Sequence, residues 1–326
     1  MMRLGASLAR NLLALAWVAG CSSEGSSAPS ADPPRKSGLP AVCTRGPRET
    51  QIPDACNGAV ELCSRAYDRV VVPMTHNAMS NADDGWVNPD QAHGLQRQLD
   101  DGVRGMMLDT HYRDAESGRN LLERHADVPA VDEAYLCHGL CVFGNTRLLD
   151  GLCTITRFLD THPGEVFSII FQNEISDEDT DVVVRASGLS DYVYTHPPGA
   201  PWPMLGEMVR SGARVVLFAE KGGGKPSSYH PAWENIWDTP YAFATQSDFS
   251  CALNRGTTSN ALFLINHWLS GPTSGMSRAQ EANAAAVLGA RVEKCTSEAG
   301  RSPTFVGVDF YDVGDLFSVV RAANGL

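Results

Sequence analysis

The stretch "RVVVPMTHNAMS", residues 69–80, sets the reading of the whole chain. Val70, Val71 and Val72 are the kind of apolar run that fills a strand covered on both faces, and the run ends on Thr75, His76 and Asn77. A histidine and an amide where a buried strand meets its loop read either as a turn cap or as the edge of a site. The segments that follow decide between the two.

From Tyr67 onward, short β-rich runs alternate with helical stretches. Strands are expected at "RVVVPMTH" (69–76), "GMMLDTHY" (105–112), "AYLCH" (134–138), "EVFSIIFQNE" (165–174), "ARVVLFAE" (213–220), "ALFLINHW" (261–268) and "TFVGVDFY" (304–311). Most are continuous apolar runs, as parallel strands between two layers require. Helices are expected at 91–102, 146–162, 177–188, 203–212 and 277–295, and "DLFSVVRAA" closes the chain. Repeated βα units over some 260 residues, with no linker inside, imply one α/β domain, and the strand count suits a (β/α) barrel better than an open sheet. No glycine fingerprint follows the first strand, so a dinucleotide site has little support.

In such barrels chemistry gathers where strands exit toward the next helix. Read in order, those exits carry His76 and Asn77, Asp109 and His111, His138, Gln172 and Glu174, Glu220 and Lys221, His267, and Asp309. One such residue is a satisfied loop polar; a full rim of them is a site. Two histidines serve as base and acid in one reaction, because imidazole titrates near neutrality. Asn and Asp oxygens suit a hard cation such as Ca²⁺, and a cation opposite a histidine pair suits phosphodiester cleavage.

The bulk properties agree with an exported enzyme. Formal charge is −12, about −14 once Arg3 and Arg10 of the leader are removed, which disfavours nucleic acid and docking on anionic lipid through a basic patch. Residues 1–21 read as a signal segment whose "VAGC" resembles a bacterial lipobox, making Cys21 the lipidated residue; the alternative is a simple secretory signal cleaved nearby. Residues 22–42 are a Ser/Pro-rich tether, 43–66 a Cys-containing extension, and 67–326 the barrel. Eight cysteines beyond Cys21 point to as many as four disulfides, of a pairing that spacing leaves open. "CHGLC" (137–141) lacks the CxxC spacing of a zinc pair. "GMSRA" (275–279) is a poor nucleophile elbow, and "KGGGK" (221–225) is a lid or substrate loop, not a Walker A.

"VVPMTHNAMS", "QLDDGVRGMMLDTHY" and "YLCHGLC", followed by a helix and "EVFSIIFQNE", resemble the catalytic X region of phosphatidylinositol-specific phospholipases C, closest to the plant and bacterial phospholipase-C-like phosphodiesterases. The likeness runs through "FVGVDFY" and so spans about 67–326. It implies an irregular TIM-type barrel, His76 and His138 as the catalytic pair, and Asn77 and Asp109 as Ca²⁺ ligands. Gln172 falls where calcium-dependent members often carry a carboxylate, with Glu174 on the same face as the alternative. Met107 replaces a glutamate, and a thioether is a poor ligand for a hard cation. Arg104 is assigned to barrel support or phosphate, Lys221 to substrate contact and Asp309 to orienting His76. The expected protein is a monomeric phosphodiesterase acting on phosphatidylinositol-type lipids, held at a bacterial envelope through Cys21. A glycerophosphodiesterase-like enzyme and a catalytically silent binding protein on the same barrel are the rivals.

Overall fold

Alternation along each strand places apolar side chains on two opposite faces, and both faces are covered. Val72, Met74, Ile170, Val216, Phe218, Leu262, Leu264 and Phe305 pack together on one side. Their sequence neighbours Val71, Ile169, Phe171, Val215, Leu217, Phe263, Ile265 and Val306 pack with the helices on the other. Each such side chain fully withdrawn from water contributes about 1.5–3 kcal/mol, which is why these runs show no polar alternation.

The computed structural model describes residues 43–271 and 275–326, all within one unit. The expected signal segment, Cys21 and the 22–42 tether lie outside the described residues. Eleven strands are described: β1 (Val72–Thr75), β2 (Gly105–Arg113), β3 (Asn120–Leu121), β4 (Ala134–Leu136), β5 (Thr146–Arg147), β6 (Phe167–Asn173), β7 (Val215–Ala219), β8 (Tyr229–Pro231), β9 (Ile236–Asp238), β10 (Leu262–His267) and β11 (Phe305–Val308). Along the order β8-β7-β6-β2-β1-β11-β10-β9 every pairing is parallel. The end strands β8 and β9 are not hydrogen-bonded to each other, yet only the four-residue turn Ala232–Asn235 separates them. At about 1.5 Å rise per helical residue that turn holds the two ends of the sheet close together, so the sheet curls into a barrel open along one seam, the irregular TIM type expected.

The helices follow the expected pattern, with one change. The long stretch predicted at 277–295 divides into Met276–Ala282 and Ala285–Ala299. The helix Asp177–Ala186 starts where Ser176 accepts a hydrogen bond from the Asp179 amide at 3.1 Å, with acidic residues filling its first turn.

Two further expectations are corrected. "AYLCH" is not a barrel strand: β2 continues past the rim, and β4 folds back antiparallel on its end, pairing Thr110 with Leu136 and Tyr112 with Ala134. Strands β8 and β9, unforeseen, complete the barrel with three residues each, too few to show a periodicity. The cysteines form four disulfides, Cys43–Cys153, Cys56–Cys63, Cys137–Cys141 and Cys251–Cys295. The first ties the 43–66 extension to the helix Leu148–Thr161, where Arg45 also donates to Asp160 at 2.8 Å.

Candidate active site

The same two-residue period that fills the barrel floor builds the site above it. One step beyond Met74 stands His76, beyond Met107 stands Asp109, beyond Ile170 stand Gln172 and Glu174, and beyond Phe218 stands Glu220. His76, Asn77, Met107, Asp109, Gln172, Glu174, Glu220 and Lys221 line one cavity of about 240 Å³ at the C-terminal ends of the strands, with Tyr241, Arg255 and Trp268 across from them.

His76 is fixed on two sides. Its Nδ1 is 2.8 Å from Asp309 Oδ1, and its ring stacks on Trp268 with centroids 3.8 Å apart and planes 5° from parallel. Burial alone would depress its pKa; the adjacent Asp309 carboxylate more than offsets this, so the pKa is raised. Burial pushes Asp309 itself up to about 6 against the opposing pull of His76. With Nδ1 occupied by Asp309, Nε2 is the nitrogen left for chemistry.

His138 is reached differently. It follows the antiparallel β4, and the Cys137 amide bonds the Asp109 carbonyl at 3.1 Å, which brings the imidazole back over the rim. Its Nδ1 lies 3.1 Å from Asp90, and its Nε2 lies 3.2 Å from the Asn77 amide nitrogen. The hydrogen bond to Asp90 raises its pKa, opposed by partial burial. Asp90 also accepts from Asn77 at 2.9 Å. The next residue, Gln91, is fully buried and donates to the carbonyls of His76 at 2.7 Å and Val308 at 3.1 Å. This adjacent pair therefore pins the ends of β1 and β11 with one side chain and His138 with the other.

Backbone conformation at the site is unusual in two places. Asn77 has φ +43°, which asparagine tolerates, and Phe310, directly after Asp309, has φ +45°, which a bulky residue adopts only under constraint. That constraint is visible: the Phe310 amide donates to the Asp90 carbonyl at 2.8 Å, and Asn283 donates to the Asp309 carbonyl at 2.9 Å.

Asp109 is 3% exposed, and burial pushes its pKa up to about 7, with the charges of His138 and His76 acting against the rise. No side-chain hydrogen bond among the described residues reaches it. Gln172 stands beside it on the paired strand. Asn77, whose NH₂ faces Asp90 and His138, has no hydrogen bond at its Oδ1 among the described residues. These three oxygen donors fit a hard cation, whereas the Met107 thioether in the same cavity does not.

On the far wall Arg255 bonds Asp238 at 2.6 Å and Glu220 at 3.1 Å and lies 4.9 Å from the Tyr241 ring centroid. Burial raises the Glu220 pKa against the pull of Arg255. Lys221 pairs with Glu174 at the rim, so Glu174 is committed to a cation and is the weaker alternative to Gln172. The "KGGGK" loop is held in place, with the Gly223 amide donating to Asp177 at 2.8 Å.

Three residues do not join the site: His111, which lies on the part of β2 paired with β4 and does not line the cavity, Arg104 and His267. Arg104 precedes β2 at the opposite end of the strand, donates to the carbonyls of Leu99 and Val103 at 2.7 and 2.8 Å and pairs with Glu165; its role is barrel support, not phosphate contact. His267 points outward, its Nε2 against the Ala282 carbonyl at 2.8 Å, and burial pushes its pKa down to about 3. Its neighbour Trp268 takes the inward place. Asp90, Arg255, Asp238, Tyr241 and Trp268 were missed by sequence reasoning. Of these, only Trp268 had a readable signal, as an inward position at the end of an expected strand.

Comparison with known proteins bears on the family and the fold. The PI-PLC X family model, described as PI-PLC X 1, matches residues 62–324. PI-PLC X domain-containing protein 1 of Arthroderma benhamiae is 27% identical over 297 residues, covering 83% of this chain and 90% of that one. An uncharacterized secreted protein of the same organism is 27% identical over 319 residues, covering 88% and 68%. Among solved structures, the phosphatidylinositol-specific phospholipase C of Listeria monocytogenes superposes with a TM-score of 0.51 at 19% identity, covering 81% of this chain and 94% of that one. That of Staphylococcus aureus gives 0.55 at 13% identity, covering 80% and 94%. At such identities these structures speak to the fold alone.

Proposed function

The chain belongs to the PI-PLC X family, and from that premise we propose that it is a phospholipase-C-type phosphodiesterase acting on a phosphatidylinositol-type lipid. The observation that carries this reading is the matched pair of imidazoles, each with Nδ1 on its own carboxylate, Asp309 for His76 and Asp90 for His138. Such anchoring fixes the tautomer and leaves two Nε2 atoms for proton transfer.

In the proposed reaction His76 Nε2 takes the proton of a hydroxyl beside the phosphodiester. That oxygen bonds to phosphorus and the bond to the glycerol oxygen breaks, giving a cyclic phosphate. His138 delivers a proton from Nε2 to the leaving oxygen; carrying that proton, the nitrogen no longer accepts from the Asn77 amide. Asp309 and Asp90 stabilise the imidazolium at each position without taking the proton. Trp268 and Tyr241, with the Arg255–Glu220–Asp238 network between strands β7 and β9, offer flat apolar faces and fixed charges, a combination suited to a polyhydroxyl ring. Asn77, Asp109 and Gln172 would hold a Ca²⁺, which supplies positive charge for the phosphoryl oxygens when bound. The lipid anchor at Cys21 and the bacterial envelope location belong to the same proposal; the four disulfides support an oxidising compartment.

The test is cleavage of phosphatidylinositol by the purified protein, followed by phosphorus NMR. A cyclic inositol phosphate is expected, and H76A and H138A should each lower turnover by about 10²–10⁴-fold. Undiminished turnover in H138A would remove the acid–base pair. Absence of product from every phosphodiester tried would leave the silent binding protein as the better reading.

A further inference from the structure

Arg291, on the helix Ala285–Ala299, is a buried cation with no counter-charge among the described residues. It is 5% exposed, all its hydrogen bonds go to neutral acceptors, and burial pushes its pKa down to about 9. Its Nε has no partner among the described residues. Taking a cation out of water without an opposing charge is costly, so packing alone would favour an apolar side chain at this position.

The guanidinium gathers one connection instead. Residues 239–261, between β9 and β10, carry Tyr241 and Arg255 to the far wall of the cavity. On that connection Arg291 donates to the Ser250 carbonyl at 2.9 Å and the Thr239 hydroxyl at 3.2 Å. At the end of β10 it donates to the Asn266 carbonyl at 2.6 Å and to His267 Nδ1 at 3.2 Å. The rings of Phe243 and Phe249, also on the connection, close over it with centroids 4.9 and 4.5 Å away. One turn along the same helix, Cys295 is bonded to Cys251, the residue after Ser250. The link continues inward: Asn266 donates to Asp238 at 2.9 Å, Asp238 accepts from Arg255 at 2.6 Å, and Arg255 reaches Glu220 at 3.1 Å.

We propose that Arg291 is a positioning residue for the head group of the substrate. It lines no part of the cavity and acts by fixing the 239–261 connection, so that Arg255 and Tyr241 stand where the head group is held. The proposal rests on the phosphodiesterase reading above and adds to it the residue that sets the binding wall. The planar fork matters as much as the charge: four acceptors lie on two elements, and a lysine ammonium offers only three donors from one point on a flexible stem.

The experiment compares the full chain with R291K, which keeps the charge without the fork, and R291M, which keeps much of the volume without the charge. Turnover of phosphatidylinositol is measured across pH, and backbone hydrogen exchange under native conditions. Each variant should raise KM by about 10–100-fold, as when a charge-assisted hydrogen bond to substrate is misaligned. The kcat per folded molecule and the acid limb of the pH–rate profile should stay with the parent, because Asp309 still sets the His76 pKa. Exchange should quicken over residues 241–250 and remain unchanged in β6. A purely structural role gives the opposite split, with kcat falling as the folded fraction falls and KM constant, and that result would overturn the proposal. So would a parent-like KM in R291K, since charge alone would then suffice. If the parent turns over no phosphodiester, exchange decides alone. Quickening confined to 241–250 would uphold Arg291 as the clamp of the far wall and remove only the enzymatic reading, whereas unchanged exchange would overturn the clamp itself.

Discussion

The four disulfides of this protein should divide sharply in what they do, and the division can be worked from their spacing. In the chain-entropy account a crosslink stabilises by restricting the unfolded chain, in proportion to the logarithm of the loop it closes. Cys43–Cys153 spans 110 residues and is worth ~5 kcal/mol on that account, while Cys137–Cys141 spans 4 and is worth ~2 kcal/mol. Activity should run the other way. Cys43–Cys153 fastens the extension to an outer helix, far from the cavity lining. Cys137–Cys141 brackets His138, whose position over the cavity depends on that short loop. A misplacement of about 1 Å in a reacting group costs on the order of 10²-fold in rate. The comparison is therefore between C43A/C153A and C137A/C141A, with urea unfolding for stability and phosphodiester turnover for activity. C43A/C153A should lose ~5 kcal/mol, a large share of the 5–15 kcal/mol of an ordinary domain, and keep its turnover where it stays folded. C137A/C141A should lose much less stability and about 10²-fold in turnover. If C137A/C141A kept full turnover, the loop would hold His138 without its crosslink and the positioning argument would fail.

Two further outcomes follow from the electrostatics. Asp309 raises the His76 pKa, so D309N should lower the plateau of turnover by about 10²–10⁴-fold while its acid limb moves to lower pH, because the base then stays deprotonated further into acid; an acid limb unchanged in the pH–rate profile would show that Asp309 does not act through His76. Asp109, held near pH 7 by burial, should bind Ca²⁺ more weakly as pH falls through that value, and D109N should abolish calcium binding in calorimetry; retained binding in D109N would move the cation elsewhere in the cavity.

Most of the architecture could be read because it rests on a period of two. Where an apolar run was long, as at β2 and β6, the strand, its inward face and the polar residue ending that face all followed from one pattern. Asp309 is the clearest case: Phe305, Gly307 and Asp309 share a face, which put the carboxylate at the mouth of the barrel before any distance was known. The same rule separates His267, named at the exit of its strand, from Trp268 beside it. Parity sends the histidine outward to the Ala282 carbonyl and the indole inward against the His76 ring.

Asp90 was out of reach for a different reason. It lies on the connection between β1 and the helix Leu95–Asp101, in "NPDQ", where nothing periodic constrains the chain and a turn is the natural reading. Its importance comes from three contacts made by distant residues: its amide to the Ser80 carbonyl at 3.1 Å, its carbonyl to the Phe310 amide at 2.8 Å, and its carboxylate to His138 at 3.1 Å. His138 likewise occupies its place through an antiparallel return that no strand count foresees. The two histidines thus acquire their matching carboxylates by unrelated routes, one by strand register and one by loop closure. Register is set by the buried face of a whole strand, whereas loop closure depends on a few hydrogen bonds and one four-residue crosslink. The His138 half of the site is for that reason the half most open to perturbation.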